Sequence, residues 1–377
     1  MKTYSTLGDI VQKHGGLVQT GPFGSQLHES DYQENGVPVV MPTDINNGRI
    51  DVSAIARISE VKASQLHRHK LKVNMIVYPR RGEITKCAFV QLSQDGFICG
   101  TGCIKIELPD DIIYPEFFCY YLNTREVTGW LMNNAVGSTM LNLSTSIFKR
   151  IQVPDIAFTT QKNISGILSN YVQLIDTNRR RIQLLEELAR LLFREWFVYF
   201  RFPLRLRSGQ TGHEKVKIVG GVPEGWKKEK LNKLVSFKRG VEPGSDNYLE
   251  TYEQGSFPFY RVSDLATKNP TIFVDEQYVK GALLKKKNTV VSLDGSVGIV
   301  SIGLEGCYST GIRKLVIKDR KINRAFLYFL MKSYYIQGMI NAYAKGTTIQ
   351  HAGEAIKYMN PILPPQNLMD DFGEMVE

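Results

Sequence analysis

Apolar positions along the chain follow two periods. Short β-type runs such as Met75-Ile76-Val77-Tyr78 and Thr289-Val290-Val291-Ser292 stand between glycine-bearing turns, and amphipathic helical segments follow them. The pattern predicts an α+β fold on each side of the molecule. Between these regions the period changes. From Thr160 to Phe200, Ile164, Tyr171, Leu185 and Leu192 keep heptad spacing, Ile167, Leu174 and Leu188 take the companion position, and Asn178 and Arg181 interrupt the seam. At about 1.5 Å per residue such a helix would be roughly 60 Å long, the dimension of a spacer.

After the helix, Arg201-Phe202-Pro203 and Ser208-Gly209-Gln210-Thr211-Gly212 read as a linker, because neither continues a helix. Val222-Pro223-Glu224-Gly225-Trp226 starts a new region. The organisation expected is therefore 1–158, a helix over 159–200, a basic linker over 201–222, a second module over 223–364 and a helix beginning at 365–377.

The two modules match one another in order. Leu7-Gly8-Asp9-Ile10-Val11 answers Leu231-Asn232-Lys233-Leu234-Val235, and Pro38 with Asp44-Ile45 answers Pro258 with Asp264-Leu265. Val77 to Gly82 answers Val290 to Gly295, Thr101-Gly102 answers Thr310-Gly311, Phe118 to Leu122 answers Phe326 to Leu330, and Gly137-Ser138-Thr139 answers Gly346-Thr347-Thr348. Val153-Pro154 and Leu363-Pro364 close the two copies. Two similar modules held apart by a rod suit contact with a long polymer at two places.

Composition adds a constraint on where charge lies. The 377 residues hold 47 Lys and Arg against 37 Asp and Glu, 47 − 37 = +10. Residues 1–160 hold 15 basic and 15 acidic side chains, 161–240 hold 17 and 7, and 241–377 hold 15 and 15, so the excess lies in the middle. With 43% hydrophobic residues the chain has material for more than one core. No long apolar run predicts a membrane span, the first residues lack the pattern of a signal peptide, and a cytoplasmic address is expected. Cys87, Cys99, Cys103, Cys119 and Cys307 are odd in number and scattered, which predicts reduced core thiols.

Catalytic patterns are missing. There is no G-x-x-x-x-G-K-[ST] loop, no H-E-x-x-H, no cysteine pairing with zinc-finger spacing, and no Asn/Asp-Pro-Pro-aromatic motif, Asn269-Pro270-Thr271 and Asn360-Pro361-Ile362 falling short of it. Gly100-Thr101-Gly102 lacks the third glycine of a dinucleotide loop and reads as a turn. His67 and His69 flank Arg68 on what reads as a solvated face. No catalytic residue, metal site or bound cofactor is expected in this chain.

At this point the sequence resembles a known family, the specificity subunits of Type I restriction-modification systems. The resemblance rests on Gly21-Pro22-Phe23-Gly24-Ser25, Gly36-Val37-Pro38, Asp44-Ile45, Arg80-Arg81-Gly82, Gly137-Ser138-Thr139 before Val153-Pro154, the helix ending Leu191-Leu192-Phe193-Arg194-Glu195-Trp196-Phe197, and Pro223-Glu224-Gly225-Trp226. It implies two target-recognition domains, each reading half of a split double-stranded DNA site, joined by helices that dock methyltransferase (modification) subunits. It also implies that S-adenosylmethionine, ATP and Mg belong to partner chains, the modification and restriction/translocase subunits. The family carries a second conserved helix, of which residues 365–377 would form only the start. Without it the seam of Ile164, Tyr171, Leu174, Leu185, Leu188 and Leu192 lacks its cover, which predicts partner docking or pairing of two chains as a homodimer.

Within that frame, residues at turns are the candidates for DNA contact. Arg80 and Arg81 precede Gly82, and arginine reads guanine bidentately. In the second module the same turn is Leu293-Asp294-Gly295-Ser296, so the two half-sites should differ. Further candidates are Arg261 and Ser263, and Ser138, Thr139, Lys345, Thr347 and Thr348 in the matched loops. Lys215, Lys217, Lys227 and Lys228 are assigned to spacer phosphates; the Lys285-Lys286-Lys287 run reads as solvated or phosphate-directed. The rival reading is an enzyme in which a recognition domain serves a nuclease or methyltransferase in the same chain, and a third is a scaffold that binds no DNA.

Overall fold

The structure, a computed structural model, describes residues 4–46, 48–109, 111–137, 141–202, 204–205, 211–212, 217–279, 281–346 and 350–376. The chain divides into two compact units, Met1–Arg179 and Arg180–Glu377.

In the first unit the main sheet is antiparallel throughout. Strand β1 (Leu17–Thr20) pairs with β3 (Cys103–Glu107), which pairs with β2 (Ile76–Pro79), and Ala88–Phe89 lies at the far edge. Its apolar face and the helices Pro115–Leu122 and Arg125–Asn134 enclose a core that includes Tyr78, Ile104, Phe118 and Phe148. A smaller sheet contains the parallel pair Val37–Val40 and Ile98–Cys99. Leu7 donates its amide to the Ile151 carbonyl at 2.9 Å, so the start and end of the module are tied together.

Helix α1 (Phe158–Phe197) has 40 residues. Its first turns are fastened to the first unit. The Gln161 amide donates to the Ile112 and Ile156 carbonyls at 3.0 and 2.8 Å and accepts from the Tyr114 N–H at 2.8 Å. Ser169 donates to Glu116 at 2.6 Å, and Arg49 pairs with Asp176 at 2.8 Å. The last turns belong to the second unit. There Ala189, Phe193, Trp196 and Phe197 enter its largest core, and Phe200, at φ +58°, turns the backbone out of the helix with its ring 5.3 Å from that of Trp226. Between these ends the seam residues stay in solvent: Tyr171 is 63% exposed and Leu185 64%, with Leu174 and Leu188 similar, while Ile164 and Leu192 are half-buried.

The second unit repeats the main sheet of the first, strand for strand. Strand β4 (Val235–Arg239) pairs with β6 (Ile312–Ile317), β6 with β5 (Val290–Ser292), and Val300–Ser301 takes the far edge. The parallel pair recurs in Ser256–Tyr260 and Gly306–Tyr308. Leu231 donates to Met359 at 2.9 Å, as Leu7 does to Ile151. Helix α2 (Arg324–Lys332) and helix α3 (Gln366–Val376) close the core, with Leu368, Met369 and Phe372 of α3 buried against the aromatic end of α1. The C-terminal helix is thus a core element of this unit.

The registers confirm the order of matches seen in the sequence. Val77 lies opposite Lys105 and Val290 opposite Lys314. Both lysines are drawn into the protein, Lys105 donating to the Lys70 carbonyl at 3.0 Å and Lys314 to that of Leu283 at 2.8 Å. Burial holds both ammonium groups below the usual lysine range.

All five cysteines are free and buried, and burial pushes the Cys99 and Cys307 thiols up to about 12. His69 departs from the solvated face expected for it. It is buried, its Nδ1 lies 3.2 Å from the Thr20 carbonyl oxygen, and burial lowers its pKa, because the turn at Leu66–Lys70 folds the ring back against β1.

Candidate nucleic-acid interface

At one end of each main sheet three connections meet. In the first unit they are the Gly21 loop after β1, the Gly100–Gly102 turn before β3 and the Arg80–Gly82 turn after β2. The frame is made of backbone hydrogen bonds: Gly21 donates to Cys103 and Arg80 to Gly102, at 2.9 and 2.8 Å. A hairpin then joins them. Val136 and Asn142 exchange amide hydrogen bonds at 3.0 and 2.9 Å, and the Leu143 amide donates to the Arg80 carbonyl at 2.8 Å. Gly21 is required in this frame, since a Cβ there would lie 1.8 Å from the Gly100 oxygen.

The second unit builds the same frame. Leu293 donates to Gly311 at 3.0 Å, Lys345 and His351 exchange amide bonds at 3.1 and 2.8 Å, and Ala352 donates to Leu293 at 2.8 Å. Gly240 takes the place of Gly21, with a Cβ clash at 2.1 Å against Tyr308. Arg81 bridges Asn142 in the first unit as Asp294 bridges His351 in the second.

The side chains on these frames differ. Arg80 is half-buried, and its Nε and Nη2 donate to the Asn142 Oδ1 at 3.4 and 3.3 Å, so it faces inward to the hairpin. Burial, with Arg81 beside it, lowers its pKa. Arg81 is the exposed member of the pair. In the second unit Asp294 accepts from Arg313 Nη2 at 2.9 Å and from His351 Nδ1 at 2.8 Å. Arg313 is also bonded to the Thr310 carbonyl. Burial pushes the Asp294 carboxyl up, but the hydrogen bonds from His351 and Arg313 outweigh it and hold the group below its usual range.

Other predicted residues fall in different places. Arg261 and Ser263 lie on the turn before Asp264 and both face it: the Arg261 amide donates to Asp264 at 2.9 Å, its Nε is 3.6 Å away, and the Ser263 hydroxyl donates at 3.1 Å. The Met41 amide bonds Asp44 at 2.8 Å in the matching turn of the first unit. Lys345 pairs with Glu354 at 3.2 Å on the exposed side of the hairpin. Lys217 stands 3.9 Å from Glu224, and Lys227 and Lys228 are exposed on a strand whose backbone pairs with Ile362–Leu363. Ser138, Thr139, Thr347, Thr348 and Lys215 lie outside the described residues.

Asn142, Arg313 and His351 are not among the residues singled out in the sequence, and Asp294 enters there only as a member of the turn Leu293-Asp294-Gly295-Ser296. A signal was present: His351 follows Gly346 by the same interval at which Asn142 follows Gly137. Among the described residues no group of His, Cys, Asp and Glu could hold a metal ion, and no helix is long and apolar enough to cross a membrane.

Comparison with known proteins agrees with this architecture. Residues 2–187 and 223–367 match the family model described as Type I restriction modification DNA specificity domain. The Type I restriction enzyme MjaIX specificity subunit of Methanocaldococcus jannaschii is 24% identical over 366 residues, 92% of this chain and 81% of that protein. The putative type I restriction enzyme MjaX specificity subunit of the same organism is 21% identical over 334 residues, 84% and 73% of the two chains. The crystal structure of a Type I restriction-modification system S subunit from M. genitalium has the same fold, with a TM-score of 0.55 and 17% identity over 100% of this chain and 88% of that one. With both halves matched and the strand-end frame built twice, this chain belongs to the Type I restriction-modification DNA specificity family.

Proposed function

We propose that this chain is the DNA-reading, non-catalytic member of a restriction-modification assembly, in which each unit reads one half of a bipartite duplex site. The observation that carries the reading is the strand-end frame, made twice by the same backbone hydrogen bonds and furnished with different side chains. A repeated frame positions two readers alike; unlike side chains make the half-sites unlike. The exposed apolar stripe of α1 is the docking face for methyltransferase subunits, and S-adenosylmethionine, ATP and Mg are held by partner chains. Arg81 is assigned to base contact, and Lys227 and Lys228 to phosphates.

Co-expression with the methyltransferase encoded beside it, in a host without DNA methylation, tests the reading. Genome-wide mapping of adenine methylation is expected to give a split motif with two unlike halves. A symmetric motif would mean that one unit is used twice by a dimer. No methylation from a bound, soluble methyltransferase would overturn the reading.

A further inference from the structure

The strand-end corner of the second unit holds one exposed ring in a fixed orientation, which the first unit does not do. Arg313 is only 12% exposed and Asp294 only 16%, whereas His351 is 65% exposed. The order of bonding runs outward: the Thr310 carbonyl fixes Arg313, Arg313 fixes one carboxylate oxygen of Asp294, and the other oxygen fixes the imidazole. A carboxylate only accepts, so Nδ1 carries the hydrogen of that bond. In the neutral ring Nε2 is then an acceptor.

We propose that His351 reads one base pair of the second half-site through Nε2, accepting from the exocyclic amino group of adenine or cytosine in the major groove, with Asp294 and Arg313 as its positioning residues. The inference rests on the DNA-recognition reading above. Three observations support it. The ring sits at the position where the first unit places Asn142, beside the turn that carries Arg81. Its anchoring removes rotamer freedom before DNA arrives, so less entropy is lost on contact. Among the described residues no other charged neighbour competes for Asp294: Lys345, the backbone partner of His351, has its ammonium on Glu354 at 3.2 Å, and Lys357 lies 3.9 Å from the other Glu354 oxygen. Among the described residues no hydroxyl or thiol is hydrogen-bonded to the ring, so the pair does not activate a nucleophile.

The test compares methylation motifs of the full chain, co-expressed with its methyltransferase, for wild type, His351→Ala, His351→Asn and Asp294→Asn. His351→Ala is expected to relax selectivity about tenfold at one position of the second half-site and to leave the first half-site unchanged. Asp294→Asn should relax the same position less, as expected of a positioning residue. His351→Asn, which installs the residue found at the matched place in the first unit, should alter the preferred base at that position and guards against a folding defect of the alanine variant. An unchanged motif in both His351 variants, or a loss spread evenly over all positions, overturns the proposal while leaving the function intact. If the wild-type chain yields no split motif, the recognition reading fails first and this inference with it.

Discussion

The Arg80–Asn142 corner and the Asp294–Arg313–His351 corner stand at the same place on two sheets of the same register, yet they solve different electrostatic problems. In the first, a half-buried guanidinium rests on a neutral amide and a second arginine stays in solvent. In the second, a nearly buried cation and carboxylate neutralise each other and carry a histidine at the surface. The frame tolerates both because it is held by amide-to-carbonyl bonds, Arg80 to Gly102 and Leu293 to Gly311, in which side chains take no part. Position is set by backbone; what is presented there is free to vary.

Breaking the second corner should have the largest effect. Arg313→Ala leaves the Asp294 carboxylate with little water and one partner, and is expected to cost about 3 kcal/mol of unfolding free energy in denaturant titrations. Asn142→Ala in the first corner should cost about 1 kcal/mol, since only long hydrogen bonds are lost. Equal losses would erase the distinction. The same contrast has a pH signature. The Asp294 carboxyl lies below its ordinary 3.8, so its contribution is complete above that value and is lost as pH falls through the lower folded one. Wild-type stability should therefore drop below about pH 4 more steeply than that of Asp294→Asn.

Next in size is the reading function assigned to the first corner. Arg81→Ala is expected to weaken discrimination by about 2 kcal/mol at the first half-site alone, measured by binding to duplexes altered in one half. Loss at both halves would assign Arg81 to phosphate. Behind the first corner, the buried Tyr78 hydroxyl donates to the Ile84 carbonyl, where the second unit has Val291. Tyr78→Phe should cost about 1 kcal/mol, with no counterpart in the second unit. The smallest effect is expected from Lys227→Gln with Lys228→Gln. The salt slope of DNA binding should fall by about 2 with sequence preference unchanged, and an unchanged slope would remove these lysines from the phosphate contacts.

The repeat was legible in the sequence because its marks are local. Short buried apolar runs at Val77–Gly82 and Val290–Gly295, and glycines where backbones touch, recur in both copies, and the register follows from them. The long helix was legible for the same reason, its heptad spacing being local. Its end was less so, because Phe200 leaves the helix in a left-handed conformation stabilised by Trp226, a residue of the next segment. The orientation of Arg80 was not legible either: only the hairpin at Asn142, far along the chain, turns it inward.

Sequence alone therefore determined the two α+β copies, the helix between them, the absence of the common catalytic motifs and the family. Tertiary structure decided which polar groups meet. Asp294 and His351 are 57 residues apart and acquire a shared hydrogen bond only when hairpin and strand end are brought together. It also decided that the C-terminal helix is core, through Phe372 against Phe193, Trp196 and Phe197, and that the middle of α1 keeps its apolar seam in solvent. Periodicity records which face of an element is apolar. What covers that face depends on contacts between residues distant in the chain, which no local pattern encodes.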